Sequence, residues 1–178
     1  MSKEITYTDV EKIQLKLKEQ SRQMLADRKY DLFITLTFKR DTTEEAASAD
    51  ITRFIKLMNT ACFGRRSKKS IVVAPVIERH WSDSAHVHIL MQDPRKRTAT
   101  RSTIDLKQTI RESWNRVSSR TGDVYMSSGG TEEWFKTIHD QDGLSYYLTK
   151  QIRPDSKIVH DYNNYTSDRR GQTANLAY

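Results

Sequence analysis

Ser84-Ala85-His86-Val87-His88-Ile89-Leu90-Met91 alternates with a period of two, the pattern of a β-strand. Side chains two apart share a sheet face, so both imidazoles lie on one face and Val87 and Ile89 on the other. Neighbouring imidazoles are a costly way to fill a core and a natural way to hold a metal ion. The chain has only 5 His, which gives weight to two at this spacing. A solvated pair on an exposed face is the plain alternative, and the sequence around the strand decides between them.

Working outward, Ile71–Glu78 reads as a preceding strand, with Pro75 implying an edge position or a bulge. The polar turn Arg79–Ala85 joins the two as a hairpin. Upstream, Asp31–Lys39 (Asp-Leu-Phe-Ile-Thr-Leu-Thr-Phe-Lys) alternates and is rich in β-branched and aromatic residues, so it reads as another strand. Between them, residues 43–62 read as a helix, capped by Thr42 or Thr43, with Glu44 and Glu45 in the first turn and Phe54, Leu57, Met58 and Ala61 as its stripe. An N-terminal helix spans about 8–28. Downstream, Thr103–Ser119 reads as a helix with Trp114 inward. Asp123–Ser127 and Trp134–His139 read as short strands. A last short helix, about 144–152, starts after a break at Gly143. Residues 154–178 form a polar tail, expected to be loosely ordered or to wrap the surface. The alternation of strands and helices with hairpin links implies an α+β fold. This is a ferredoxin-like or RRM-like antiparallel sheet with helices packed on one face, plus an N-terminal helix and a C-terminal extension.

Lys plus Arg number 30 against 23 Asp plus Glu, a net charge of +7. That balance favours a polyanionic partner, nucleic acid first and an anionic membrane surface second. No stretch is apolar enough to span a bilayer or serve as a secretory signal, so no membrane partner is expected. The single Cys62 excludes an intramolecular disulfide and a Cys-based zinc site, and fits a cytoplasmic protein, or a nuclear one in a eukaryotic host. The basic segments Arg65, Arg66, Lys68, Lys69 and Arg95, Lys96, Arg97 are candidate DNA-phosphate contacts, with solvated turns as the alternative. Trp114 and Trp134 are aromatic enough to stack on a base, although Trp114 sits in an apolar helix stripe.

Three motifs now stand in one order: Phe33-Ile34-Thr35-Leu36-Thr37 on a strand, His86-Val87-His88 on a strand, and Tyr146-Tyr147-Leu148-Thr149-Lys150 on a helix. In this order they resemble the HUH endonucleases, and within them the replication initiators (Rep proteins) of rolling-circle plasmids and viruses. The resemblance covers about residues 31–152. It implies an endonuclease domain over 1–153 that nicks single-stranded DNA, linear or in a hairpin, at a replication origin, and later rejoins it. The chain shows no Walker A sequence, so the resemblance implies that a host helicase and polymerase act beside it.

The resemblance also assigns roles. His86 and His88 ligate Mg²⁺ or Mn²⁺. A hard cation wants oxygen too, and Glu78 at the end of the neighbouring strand is the candidate third ligand. His80 and Asp83 are weaker ones. Tyr147 is the nucleophile and Lys150, three residues on and so on the same helix face, orients the DNA or steadies phosphate charge. Tyr146 points about 100° away and reads as packing, with a two-tyrosine mechanism as its alternative. Tyr147 and Gln151 also make the Tyr-x-x-x-Gln spacing of the HUH single-strand transposases, which leaves Gln151 as an alternative third ligand. Thr35 and Thr37 either contact DNA, shape the metal site, or are plain sheet residues. A ferredoxin-like nucleic-acid-binding module without catalysis is the reading from a different class.

Overall fold

Leu32, Ile34, Leu36 and Phe38 alternate with Phe33, Thr35 and Thr37, so the strand they form has one apolar face and one mixed face. In the computed structural model, which describes residues 7–79, 85–97, 104–124, 133–149 and 158–166, this strand is β1, Leu32–Phe38. The order is α1 (Tyr7–Ala26), β1, α2 (Glu44–Phe63), β2 (Val73–Arg79), β3 (Ala85–Met91), α3 (Leu106–Asn115), β4 (Thr121–Val124), β5 (Phe135–Thr137), α4 (Gln141–Thr149) and β6 (Ile158–His160). The strands join one sheet in the order β4-β1-β3-β2-β6, with β5 pairing β1 beside β4. Every pairing is antiparallel. The central β4-β1-β3-β2 arrangement, with α2 and α3 as its crossovers, is the ferredoxin-like architecture expected from the alternation of elements.

The apolar face of the sheet carries Leu32, Ile34, Leu36, Val73, Ile77, Val87, Ile89 and Met91, and α2 and α3 cover it with Phe54, Met58, Ile110 and Trp114. Trp114 is fully buried and its Nε1 donates to Thr37 O at 2.8 Å, so it stitches α3 to β1. Trp134 is also fully buried, which removes both tryptophans as base-stacking platforms. The N-terminal addition α1 and the short α4 lie on the other face. Leu25 and Leu148 there meet Ala74, Val76 and Leu90.

Local chemistry sets several element ends. Thr43 caps α2, its Oγ1 accepting from Ala46 N at 3.3 Å. Gly64 closes the same helix at φ 86°, a backbone that disfavours a side chain, and its N–H returns to Thr60 O. Gly143 was expected to precede the last helix and instead lies in the first turn of α4. Asp140 explains it: its Oδ1 accepts from Gly143 N at 2.9 Å, and a Cβ at position 143 would run into Asp140 Oδ2.

Two further expectations are corrected. Pro75 is neither on an edge nor at a bulge, since β2 pairs with β3 in unbroken register and with β6 on its other side. Its carbonyl accepts from Asp161 N at 3.1 Å, and the Asp161 carbonyl opposite accepts from Asn164 N at 3.0 Å, so no acceptor is left waiting for the missing N–H. Of the two readings for the stretch beyond Pro154, loose order is the one corrected: its described residues, 158–166, supply β6 and a strap. Residues 158–166 pair with β2, bond α1 through Tyr162 to Ser21 (2.5 Å), and bond α2 through Asp161 to Ser48 and Asn164 to Thr52. Its few polar residues had no apolar period for the sequence to reveal.

Asp50 on α2 has a fully buried side chain that accepts from Ser118 Oγ at 3.0 Å and from Arg120 Nη2 at 3.0 Å. It ties α2 to the turn before β4. Asp50→Ala strips these two donors, and Arg53 Nη1 at 3.2 Å, of their acceptor. Because Arg120 is partly exposed and rehydrates, the expected loss is about 2 kcal/mol, read as a lower urea midpoint at unchanged slope. An unchanged midpoint would show the network to be decorative.

Candidate metal centre and facing tyrosine

Antiparallel register brings the candidate residues together on the face opposite the main core. Thr37 lies opposite His86 across β1 and β3, and His86 lies opposite Glu78 across β3 and β2. One step along, Thr35 is opposite His88, and His88 is opposite Val76. Sequence placed Glu78 at the end of a hairpin arm, and the ladder makes it the cross-strand neighbour of His86.

The Glu78 Oε2 atom is 2.7 Å from His88 Nε2 and 3.2 Å from His86 Nε2. Donor atoms of the three residues lie within 4.8 Å of one another, the one such group of His, Cys, Asp and Glu among the described residues. A divalent ion about 2.1 Å from each donor places neighbouring donors about 3 Å apart, close to the spacing already present. Two imidazoles and a carboxylate can hold a divalent cation and leave coordination positions for further oxygen ligands.

The electrostatics agree with ligand duty. Hydrogen bonds from His86 and then His88 hold the Glu78 carboxyl well below the usual carboxylate range, so it is ionised. Burial lowers the pKa of His88, which favours the neutral ring that ligates a metal. Phe33 stacks on that ring, centroids 5.0 Å apart and planes 20° from parallel. Thr35 Oγ1 is 3.1 Å from His88 Nδ1. A hydroxyl both donates and accepts, so Thr35 satisfies Nδ1 whichever ring nitrogen carries the proton.

Thr35→Val keeps the shape and removes that partner. Its expected effect is a roughly tenfold weaker affinity for Mn²⁺ with the fold retained, measured by calorimetric titration. Equal affinity would make Thr35 a plain sheet residue. Sequence reading quoted Phe33 in the strand motif without giving it a role, and its parity with Thr35 and Thr37 was the available signal.

On α4, Ser145, Leu148 and Thr149 are buried, which turns Tyr146 and Tyr147 outward, at 58% and 44% exposure, so Tyr146 is not the packed aromatic expected from sequence. The two are not equivalent. Tyr147 lies within electrostatic reach of Glu78: partial burial first and the Glu78 charge second raise its phenol pKa, the direction that keeps it protonated. Lys150 and the alternative ligand Gln151 lie outside the described residues, as do His80 and Asp83.

The basic segments are not brought to this centre. Arg65, Arg66, Lys68 and Lys69 precede β2, whose first residue Val73 pairs with Met91 at the far end of β3. Arg95, Lys96 and Arg97 follow that same far end, about 17 Å along the strand from His86 at the usual rise. Arg95 pairs with Asp93 at 2.7 Å, Lys96 with Asp31, and Arg97 bonds Ser70 O and lies over the Phe63 ring at 5.1 Å. Those contacts give this second group a structural duty.

A family model described as replication-associated protein ORF2 matches residues 31–152, from β1 through α4. No curated protein and no solved structure matches the chain.

Proposed function

The chain belongs to the replication-associated protein ORF2 family, and from that premise we propose that it is an HUH-type replication initiator that nicks and rejoins single-stranded DNA at an origin. What supports the reading is one juxtaposition: Tyr147 on α4 lies within electrostatic reach of Glu78, which clusters with His86 and His88 on the sheet. Family membership alone supports a role in replication. The chemistry is inferred from that arrangement.

Glu78, His86 and His88 would hold the divalent cation. When bound, it supplies charge neutralisation at a scissile phosphate. Tyr147 Oη attacks the phosphorus. An O–P bond forms, the bond from phosphorus to the 3′ oxygen breaks, the phenol proton is released, and the 3′ oxygen leaves as a hydroxyl after taking up a proton. The 5′ phosphate stays on Tyr147, and the reverse attack by a 3′-hydroxyl rejoins the strand. The ester keeps the energy of the broken bond, so rejoining needs no nucleotide cofactor. Lys150 is assigned to the phosphate, and Thr37, in the His86 row, to the DNA.

The test is a nicking assay with the full chain, end-labelled single-stranded DNA from candidate origins, and Mn²⁺. The expected product is a labelled protein band that survives denaturing electrophoresis and disappears with EDTA. Tight DNA binding with neither cleavage nor adduct, across several origins, would replace the nickase with a binding module.

A further inference from the structure

α1 has no stop signal of its own. Ala26 is followed by Asp27-Arg28-Lys29-Tyr30, with no glycine to turn the chain, and the last turn holds no basic residue. The final carbonyls of a helix find no partner within it, so this end needs donors from elsewhere. Gln141, the first residue of α4, supplies them. Its Nε2 donates to Leu25 O at 2.8 Å, to Ala26 O at 3.3 Å and to Arg28 O, and its Oε1 accepts from Tyr30 N at 3.0 Å. Both ends of the amide are therefore engaged by one short stretch of chain, the exit from α1.

The same helix carries Tyr147. With 9 residues, α4 is too short to be stable alone, so its attachments decide where it lies. Its last turn is buried through Leu148, which shares an apolar cluster with Leu25, Val76 and Leu90. Val76 stands opposite His88 and lies two residues before Glu78, on the same face of β2. Leu148 thus brings the end of α4 beside the three donors, and Gln141, about 10 Å back along the axis, pins the start of the helix to α1. A helix held at both ends keeps its tilt and roll. Held only at Leu148 it pivots there, and the phenol, at the end of a long side chain, swings with it.

We propose that Gln141 is a positioning residue for Tyr147: by locking the first turn of α4 to the end of α1, it fixes the tilt of the helix and so the aim of the phenol at Glu78, His86 and His88. This rests on Tyr147 being the nucleophile of the proposed reaction. It gives α1, which precedes the residues matched by the family model, a share in that reaction.

The test compares wild type with Gln141→Leu, which keeps bulk and loses the amide, and Gln141→Glu, which keeps length and acceptor and loses both donors. Ser21→Ala is the control, since it cuts a different tie of α1, the one to Tyr162. Each full-length protein carries 3-fluorotyrosine at position 147, and Mn²⁺ is the probe. A paramagnetic ion broadens a fluorine line steeply with proximity, so a displacement of about 1 Å lowers the broadening about twofold. Both Gln141 variants should show that loss. Their α4 amides should exchange about tenfold faster, while β1 and β3 amides hold and Mn²⁺ affinity stays within about twofold. On DNA, kcat should fall about tenfold with KM within about twofold. Ser21→Ala should leave all of these within about twofold of wild type. Unchanged broadening, a Gln141→Glu variant that behaves as wild type, equal loosening of the sheet, or an equal loss of kcat in Ser21→Ala would each overturn the proposal. A wild type that forms no adduct, while the fluorine and exchange results appear as expected, would remove the nickase and keep the clamp.

Discussion

Tyr147→Phe is expected to abolish the covalent protein–DNA adduct, with cleavage falling on the order of a thousandfold or more. The substitution removes one oxygen and nothing else. The side chain is half exposed, so loss of the hydroxyl leaves the core untouched, and the melting temperature should stay within about 2 °C. Mn²⁺ affinity should also hold, because Glu78, His86 and His88 make up the donor set. Tyr146→Phe is the matched control. It sits one residue away, is more exposed, and points elsewhere round the helix. It should keep at least about half of wild-type activity. If both variants lose the adduct, two tyrosines take part. If only Tyr146→Phe does, α4 presents the other face to DNA and the Glu78–Tyr147 proximity has no catalytic meaning.

Glu78→Gln carries the second large effect. The amide keeps the size of the carboxylate, and its oxygen still accepts from an imidazole, so the metal-free fold should persist. What disappears is the single negative charge among the three donors. A hard cation depends on that charge more than on either neutral nitrogen, so Mn²⁺ affinity should fall about a hundredfold, with nicking lost at micromolar metal. Excess Mn²⁺ should restore part of the activity, because the imidazoles and Tyr147 remain in place. Unchanged Mn²⁺ affinity would move the third ligand to another residue, Gln151 being the one proposed from spacing. Loss of activity that no metal concentration repairs would instead give Glu78 a role in DNA placement.

The centre was legible because it is written in short-range pattern. A period of two in β3 put His86 and His88 on one face, and the hairpin implied Glu78 beside them. The helical period likewise separated Tyr147 from Tyr146. What escaped notice depends on contacts remote in sequence. Phe33 stacks on a histidine that is 55 positions away but adjacent across the ladder. β6 has only Ile158–His160 to announce it, too short for any periodicity, and its pairing with β2 is set by tertiary contact. The place of the basic segments in the fold was not legible for a related reason. Charge in a loop reveals a solvated turn, but which end of the sheet that turn occupies is fixed by strand direction and register, here the end away from the histidines.

The strap also determines how this molecule bears force. Just before α4 the chain is laced into one margin of the sheet, where β5 pairs β1. At β6 it is laced into the other, against β2. A protein tethered to a DNA end through Tyr147 would be tugged at that side chain whenever the duplex ahead was unwound. With a strand on each margin, the tug is shared between two anchorages on opposite sides of the hydrogen-bonded sheet, and neither can be peeled away without loading the other. The handle to which the DNA is tied is therefore a span with two abutments, not a flap with one hinge.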